Sequence, residues 1–200
     1  MSYGQYDFRA ACPEGQVMYF KILADSATVR VTHPGPNWPY YDPEHRMHGS
    51  VTVPDEVEWQ GRSYRVTEVS RNAFYRNDSL TAIRLPRVLR IGAQAFCGCT
   101  ALAEVNIPDG VTELGDGVFA GCRSLQTVEL PRSVRRIGTS AFALCSGLWL
   151  VKIDTALFGL TDDATFAGCT RIGEGKNVKK CPDGSIFLFD LRHEGEILCR

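Results

Sequence analysis

The strongest constraint on this chain is an internal repeat: Phe74, Phe96, Phe119, Phe142 and Phe166 recur at steps of 22, 23, 23 and 24 residues. Three residues after each phenylalanine stands Asn77, Cys99, Cys122, Cys145 or Cys169. Six after it stands Leu80, Leu102, Leu125, Leu148 or Ile172. Ile83, Val105, Val128 and Val151 follow in register, then Leu85, Ile107, Leu130 and Ile153, then Pro86, Pro108 and Pro131. A second apolar pair closes each unit: Val88 with Ile91, Val111 with Leu114, Val134 with Ile137 and, more loosely, Leu157 with Leu160. Gly92, Gly115 and Gly138 come next. A unit this short cannot bury an apolar face alone, so the copies must stack into a continuous core.

Within a unit, Ile83-x-Leu85 and Val105-x-Ile107 alternate with period two, which predicts a short strand with one face inward. Proline ends that strand because it lacks a ladder donor. The Val-x-x-Ile segment reads as a second short strand, and its spacing of three fits one helical turn equally well. The following glycine permits a tight corner. The segment through Ala-Phe to the cysteine is long enough for a turn of helix.

Composition narrows the function classes. Of 200 residues, 22 are Lys or Arg and 23 are Asp or Glu, so a net charge of -1 offers no basic field for a polyphosphate backbone. No apolar run approaches the roughly 18 residues of a membrane span. No phosphate loop, dinucleotide fingerprint, Gly-x-Ser-x-Gly elbow or His-Glu-x-x-His motif is present, and no catalytic residue, cofactor or metal site is assigned.

The units resemble the BspA-like leucine-rich-repeat family, also called the Treponema pallidum type, whose repeat runs Leu-x-x-Ile-x-Leu-Pro, Val-x-x-Ile-Gly, Ala-Phe-x-x-Cys. The resemblance covers roughly residues 51 to 172 and departs from the pattern at Asn77, at Asp154 and at Leu157-Phe158-Gly159-Leu160. It implies a β-rich, α/β-type leucine-rich-repeat solenoid, a right-handed coil of repeats of about 23 residues. One structural domain is expected, with an N-terminal cap over 1–50, an array of about five units over 51–172 and a C-terminal cap over 173–200. The departures near residue 157 predict last units distorted toward the cap.

At the N-terminus, Gln16–Ile22 and Ala27–Thr32 read as strands joined by a turn at Asp25-Ser26. The stretch from Val51 to Val69 reads as a half-recognisable first unit coupling that hairpin to the array. This order of residues resembles the N-terminal cap of secreted family members, and such caps protect an exposed end unit. At the other end, Ser185–Asp190 and Glu196–Cys199 flank His193-Glu194-Gly195, which predicts a C-terminal hairpin. No leader is visible at Met1-Ser2-Tyr3. The resemblance implies a secreted or cell-surface bacterial protein whose leader has been trimmed, with an intracellular chain as the alternative.

The repeat cysteines should form a column spaced by about 5 Å, within disulfide range, yet identical positions argue for identical environments and for small buried hydrophobes. Cys97-Gly98-Cys99 lacks the two-residue gap of a redox motif. Cys181 and Cys199 flank the terminal hairpin, and both a disulfide and two free thiols are open to them. Cys12 has no assigned partner. His33, His45 and His48 fall in a stretch rich in proline and aromatics, including Trp38, Tyr40 and Tyr41, and match no zinc spacing. That stretch is either a stiff connection packed on the cap or a protruding binding loop.

The coil surface supplies the other candidates. Glu68, Arg90, Glu113 and Arg136 should stack in one column of alternating sign that stabilises register. A second column, Arg84, Asn106, Glu129 and Lys152, alternates less regularly and is flanked by Ala82, Glu104, Thr127 and Leu150. Trp149 and Leu150 are either an exposed contact point or buried against the C-terminal cap. Together, Trp38, Tyr40, Tyr41, Arg84, Asn106, Glu129, Trp149 and Lys152 form the candidate partner-binding surface. The expected function is a non-enzymatic protein-binding or adhesion module, with a host extracellular-matrix protein or a glycan as partner. The alternative is a structural spacer or shield on a bacterial envelope.

Overall fold

The structure is a computed structural model that describes residues 6–35, 41, 45–85, 87–159, 161–175, 177–197 and 199. Three antiparallel strands, β1 (Phe8–Ala11), β2 (Val17–Ile22) and β3 (Thr28–Thr32), form the N-terminal cap. The β2–β3 hairpin lies where alternation places it, and β1 is an additional strand. Its turn is fixed by Asp25, whose carboxylate accepts from the Ala27 and Thr28 amides and from the Thr28 hydroxyl, while Ser26 takes a left-handed φ of 53°.

The half-recognisable first unit is a full one. It comprises β4 (His48–Thr52) and a hairpin of β5 (Glu56–Trp59) with β6 (Arg62–Val69). Gln60 and Gly61 both have positive φ, as a two-residue hairpin turn requires. β6 lies parallel to β3, and this pairing joins the antiparallel cap to the parallel array. The outer edge of β4 is closed by side chains from the cap. Gln16 pairs with the His48 backbone through both amide atoms, at 2.8 and 2.9 Å, and Glu14 accepts from the Thr52 amide at 3.0 Å.

Each later unit contributes one strand to each of two faces. The first-strand face carries β4, β7 (Ser79–Arg84) and β9 (Glu104–Val105) in one sheet. Beyond an interruption it continues as β11 (Thr127–Glu129) and β13 (Leu150–Asp154). The second-strand face runs without interruption as β3, β6, β8 (Arg90–Ile91), β10 (Glu113–Leu114) and β12 (Arg136–Ile137). The Val-x-x-Ile segment is therefore a strand in these units. The Ala-Phe segment is a succession of turns instead of a helix. The amides of Phe74, Phe96, Phe119 and Phe142 donate to carbonyls of the following unit at 2.7–3.0 Å, so this third side carries its own backbone ladder.

The core is columnar. The rings of Phe74, Phe96, Phe119, Phe142 and Phe166 stack at centroid spacings of 5.1, 5.3, 5.5 and 5.7 Å. Each buried thiol of Cys99, Cys122, Cys145 and Cys169 donates to the carbonyl of the phenylalanine one unit earlier, at 2.9–3.1 Å. Asn77 departs from this column for a physical reason. No phenylalanine unit precedes it, and its Oδ1 instead accepts from the Met47 amide of the cap at 2.6 Å.

The C-terminal hairpin differs from the sequence expectation. Ser185–Phe189 is a strand (β15), but its hairpin partner is β14 (Val178–Lys180), and 191–196 is a 3-10 segment. Pro182-Asp183-Gly184 supplies the turn: Gly184 has a φ of 82°, and Asp183 accepts from the Ser185 amide and hydroxyl. Asp190 then caps the 3-10 segment by accepting from the Arg192 amide, so the chain leaves β15 in a 3-10 turn instead of a second hairpin strand. β15 pairs antiparallel with β13 and ends the parallel stacking, while a short helix, α1 (Thr155–Phe158), stands where the repeat pattern breaks down. Cys181 and Cys199 form a disulfide with a Cα separation of 5.3 Å.

Candidate interaction surface

The two faces handle charge differently. On the second-strand face the expected column is present, with Glu68, Arg90, Glu113 and Arg136 as direct cross-strand neighbours and Arg30 extending it by one position. Glu113 is bridged by Arg90 at 2.7 Å and by Arg136 on its other side. Its carboxyl is held below the ordinary range, first by the hydrogen bond from Arg90. Opposite charges in register are each worth a few tenths of a kcal/mol. Arg90, Glu113 and Arg136 thus satisfy one another, while Glu68 and Arg30 make no ion pair among the described residues.

The first-strand face is open where the sheet is interrupted. β9 and β11 belong to separate sheets, and Asn106, one residue beyond β9, is bonded to the preceding unit. Its Oδ1 accepts from the Leu85 amide at 2.7 Å and its Nδ2 donates to the Leu85 carbonyl at 3.3 Å, so a side chain does the work of a strand backbone. Above the break lies a groove of about 690 Å³, with Ser50, Arg84, Glu104, Asn106, Gln126 and Thr127 among its walls. Arg84 and Glu104 are exposed and make no ion pair among the described residues.

The candidate residues fall in separate places. Arg84 and Asn106 line this groove, whereas Glu129 and Lys152 pair with each other at 2.8 Å beside a second, smaller depression. Trp149 is half-buried against His193 of the C-terminal cap, with ring centroids 4.8 Å apart. Tyr41 is a correction: it is buried, and its hydroxyl donates to the Ala73 carbonyl at 2.7 Å, so it belongs to the cap core. Trp38 and Tyr40 lie outside the described residues. Sequence reasoning reached Glu104 and Thr127 only as neighbours of the candidate column, and it missed Ser50 and Gln126, which become visible only once the interruption is located.

Other chemistry is held in check by packing. Among the described residues no cluster of three or more His, Cys, Asp or Glu is placed to hold a metal. Burial pushes the thiols of Cys99 and Cys122 upward and keeps them protonated. His33 is buried, with Nδ1 2.6 Å from the Gly35 carbonyl, and burial lowers its pKa from 6.5. Folding therefore favours the neutral ring. That contribution is complete above about pH 6.5 and is lost as pH falls through the folded-state value, at about 1.4 kcal/mol per unit of depression. In urea titrations at pH 7.5 and pH 5.0, the wild type should lose more stability between the two than His33→Asn. Equal losses would contradict this assignment.

The family model of the BspA-type leucine-rich-repeat region matches residues 67–180 in six copies. The chain belongs to that family. The model finds one copy more than the five units counted from the phenylalanine column. Among solved structures, the chain is similar to a leucine-rich-repeat protein from Bacteroides ovatus, 25% identical with a TM-score of 0.56, over 73% of this chain and 41% of that one. A leucine-rich-repeat protein from Bacteroides capillosus is 26% identical with a TM-score of 0.51, over 60% of this chain and 82% of its own. The T. pallidum leucine-rich-repeat protein is 26% identical with a TM-score of 0.54, over 76% of this chain and 75% of its own. The chain thus spans less than half of the B. ovatus protein. No curated protein sequence matches it. BspA-type repeats characterise protein-interaction modules, typically on bacterial surfaces or secreted. No helix among the described residues is long and apolar enough to cross a membrane.

Proposed function

We propose that this chain is a non-enzymatic interaction module of a secreted or cell-surface bacterial protein. In this reading it is a right-handed coil of about 23-residue units over 51–172, held between caps at 1–50 and 173–200. It binds a protein partner through the groove on its first-strand face. The observation that carries this reading is a contrast between the faces: Arg90, Glu113 and Arg136 neutralise one another on the second-strand face, whereas Arg84 and Glu104 stand without an ion pair among the described residues in an open groove beside Asn106 and Gln126. Two opposite, unsatisfied charges and two amides suit a polypeptide bearing both signs. Among the described residues the groove walls carry no aromatic ring on which a sugar could stack, which favours a protein over a glycan. The disulfide is in keeping with an oxidising compartment.

The test is surface plasmon resonance against a panel of purified extracellular-matrix proteins. Saturable binding that is weakened about tenfold or more by Arg84→Glu or Glu104→Lys, and left intact by Glu113→Gln on the opposite face, is the expected result. Binding equally insensitive to all three changes would remove the groove from the function. No saturable binding to any protein would favour a spacer or shield.

A further inference from the structure

Among the described residues no strand pairs with the outer side of β14, where the four-stranded sheet β11-β13-β15-β14 ends. An exposed strand edge invites pairing with other chains and is commonly covered. Here the chain's own tail reaches β14 and the residue that follows it. The Ile197 carbonyl accepts from Lys179 Nζ at 2.7 Å, and two residues further along each segment Cys199 is bonded to Cys181 with a Cα separation of 5.3 Å. The two contacts step in the same direction along the two segments. The 3-10 segment leading to it, Leu191–Glu196, buries none of its own residues but lays His193 against Trp149.

Few contacts hold this strap down. Its near end is fixed at Asp190, whose buried carboxylate takes Arg171 at 3.1 Å and Arg192 at 2.6 Å. Beyond that point the described contacts are the buried Ile197, the His193 ring on Trp149, the Lys179 hydrogen bond to the Ile197 carbonyl and the disulfide. Among the described residues of the strap, one buried isoleucine offsets little of the conformational entropy of ordering them, whereas a cross-link removes much of that cost in advance. Cys181 is nearly buried and Cys199 is exposed, so the sulfur open to attack is that of Cys199.

We propose that residues 191–199 form a thiol-released guard, which in the disulfide state covers the outer edge of β14 and one side of Trp149 and which a dithiol reductant opens. A thiolate of the reductant bonds to Cys199 Sγ as the Cys181–Cys199 bond breaks, leaving Cys181 as a thiolate that takes up a proton. The second thiol of the reductant then displaces Cys199. Two electrons have passed, both cysteines are thiols, and the reductant leaves as its own disulfide.

Hydrogen exchange read by mass spectrometry on the full chain, with and without dithiothreitol, tests the guard. Reduction should speed exchange in 178–181 and 191–197 by about tenfold or more while 67–145 stays unchanged. Cys199→Ser without reductant should reproduce that pattern, and Cys97→Ser should still need the reductant. In a Trp59→Phe background, acrylamide quenching should rise on reduction and lose that rise when Trp149→Phe is added. Three results would overturn the proposal: no disulfide in the intact mass of the oxidised protein, unchanged exchange in 191–197 after a verified gain of two hydrogens, or loss of protection throughout 67–145. The last would make the bond a staple of the whole fold.

Discussion

Gly115→Ala should destabilise the protein by about 3 kcal/mol or more, the upper end of what overpacking costs. The reason is contact, not conformational freedom. A β-carbon at Gly115 would sit 2.3 Å from the Ala93 amide nitrogen and 2.6 Å from the Gly92 carbonyl carbon, and both obstacles are backbone of the preceding unit. Neither can rotate away. Relief would require the units to separate, but the Gly115 amide donates to the Ile91 carbonyl at 2.8 Å and the adjacent Phe96 and Phe119 rings stack at 5.3 Å. Since stacked repeats draw stability from nearest neighbours, a breach in mid-array should also uncouple the two halves. Urea unfolding followed by circular dichroism should show a lower midpoint and a shallower transition. Gly195→Ala is the matched control, because nothing lies within 4 Å of its added carbon and its φ is not left-handed. A Gly115→Ala midpoint equal to that of Gly195→Ala would refute the close-approach argument.

The same stacking explains which parts of the fold were legible in the sequence. Each unit places equivalent residues in equivalent surroundings, so Phe, Cys and Leu columns announce themselves. Strand register follows from the repeat length, and Glu68, Arg90, Glu113 and Arg136 could be placed side by side before any coordinates. Legibility ends where periodicity ends. Ser185–Phe189 reads as a strand on local grounds, yet its partner was decided by the Asp183 turn, the Asp190 cap and a disulfide closing 18 residues. Tyr41 sits in a stretch whose composition suits a protruding loop, and only its bond to Ala73, 32 residues away, makes it core. The groove was hidden for the opposite reason. The repeat suggests that every first strand pairs with the next, yet β9 and β11 lie in separate sheets, and nothing in the spacing of their residues announces it.

Phe119→Ala should be the costliest single truncation in the array, at about 3–5 kcal/mol for a fully buried phenylalanine. Phe119 has a ring on either side, Phe96 at 5.3 Å and Phe142 at 5.5 Å, whereas Phe166 ends the stack with Phe142 alone at 5.7 Å. If ring stacking adds to burial, Phe119→Ala should exceed Phe166→Ala by roughly one aromatic pair, about 0.5–1.5 kcal/mol. Phe119→Leu separates the two contributions, since leucine retains most of the apolar volume and none of the stacking. The thiol column supplies the internal comparison. Cys122→Ser keeps a donor for the Phe96 carbonyl and should cost far less than emptying the ring site, though both side chains are fully buried one turn apart. Denaturation midpoints ordered Phe119→Ala, Phe166→Ala, Cys122→Ser, from lowest to highest, would establish the phenylalanine stack as the main determinant of unit spacing. A Cys122→Ser variant as unstable as Phe119→Ala would transfer that role to the buried hydrogen bonds between units.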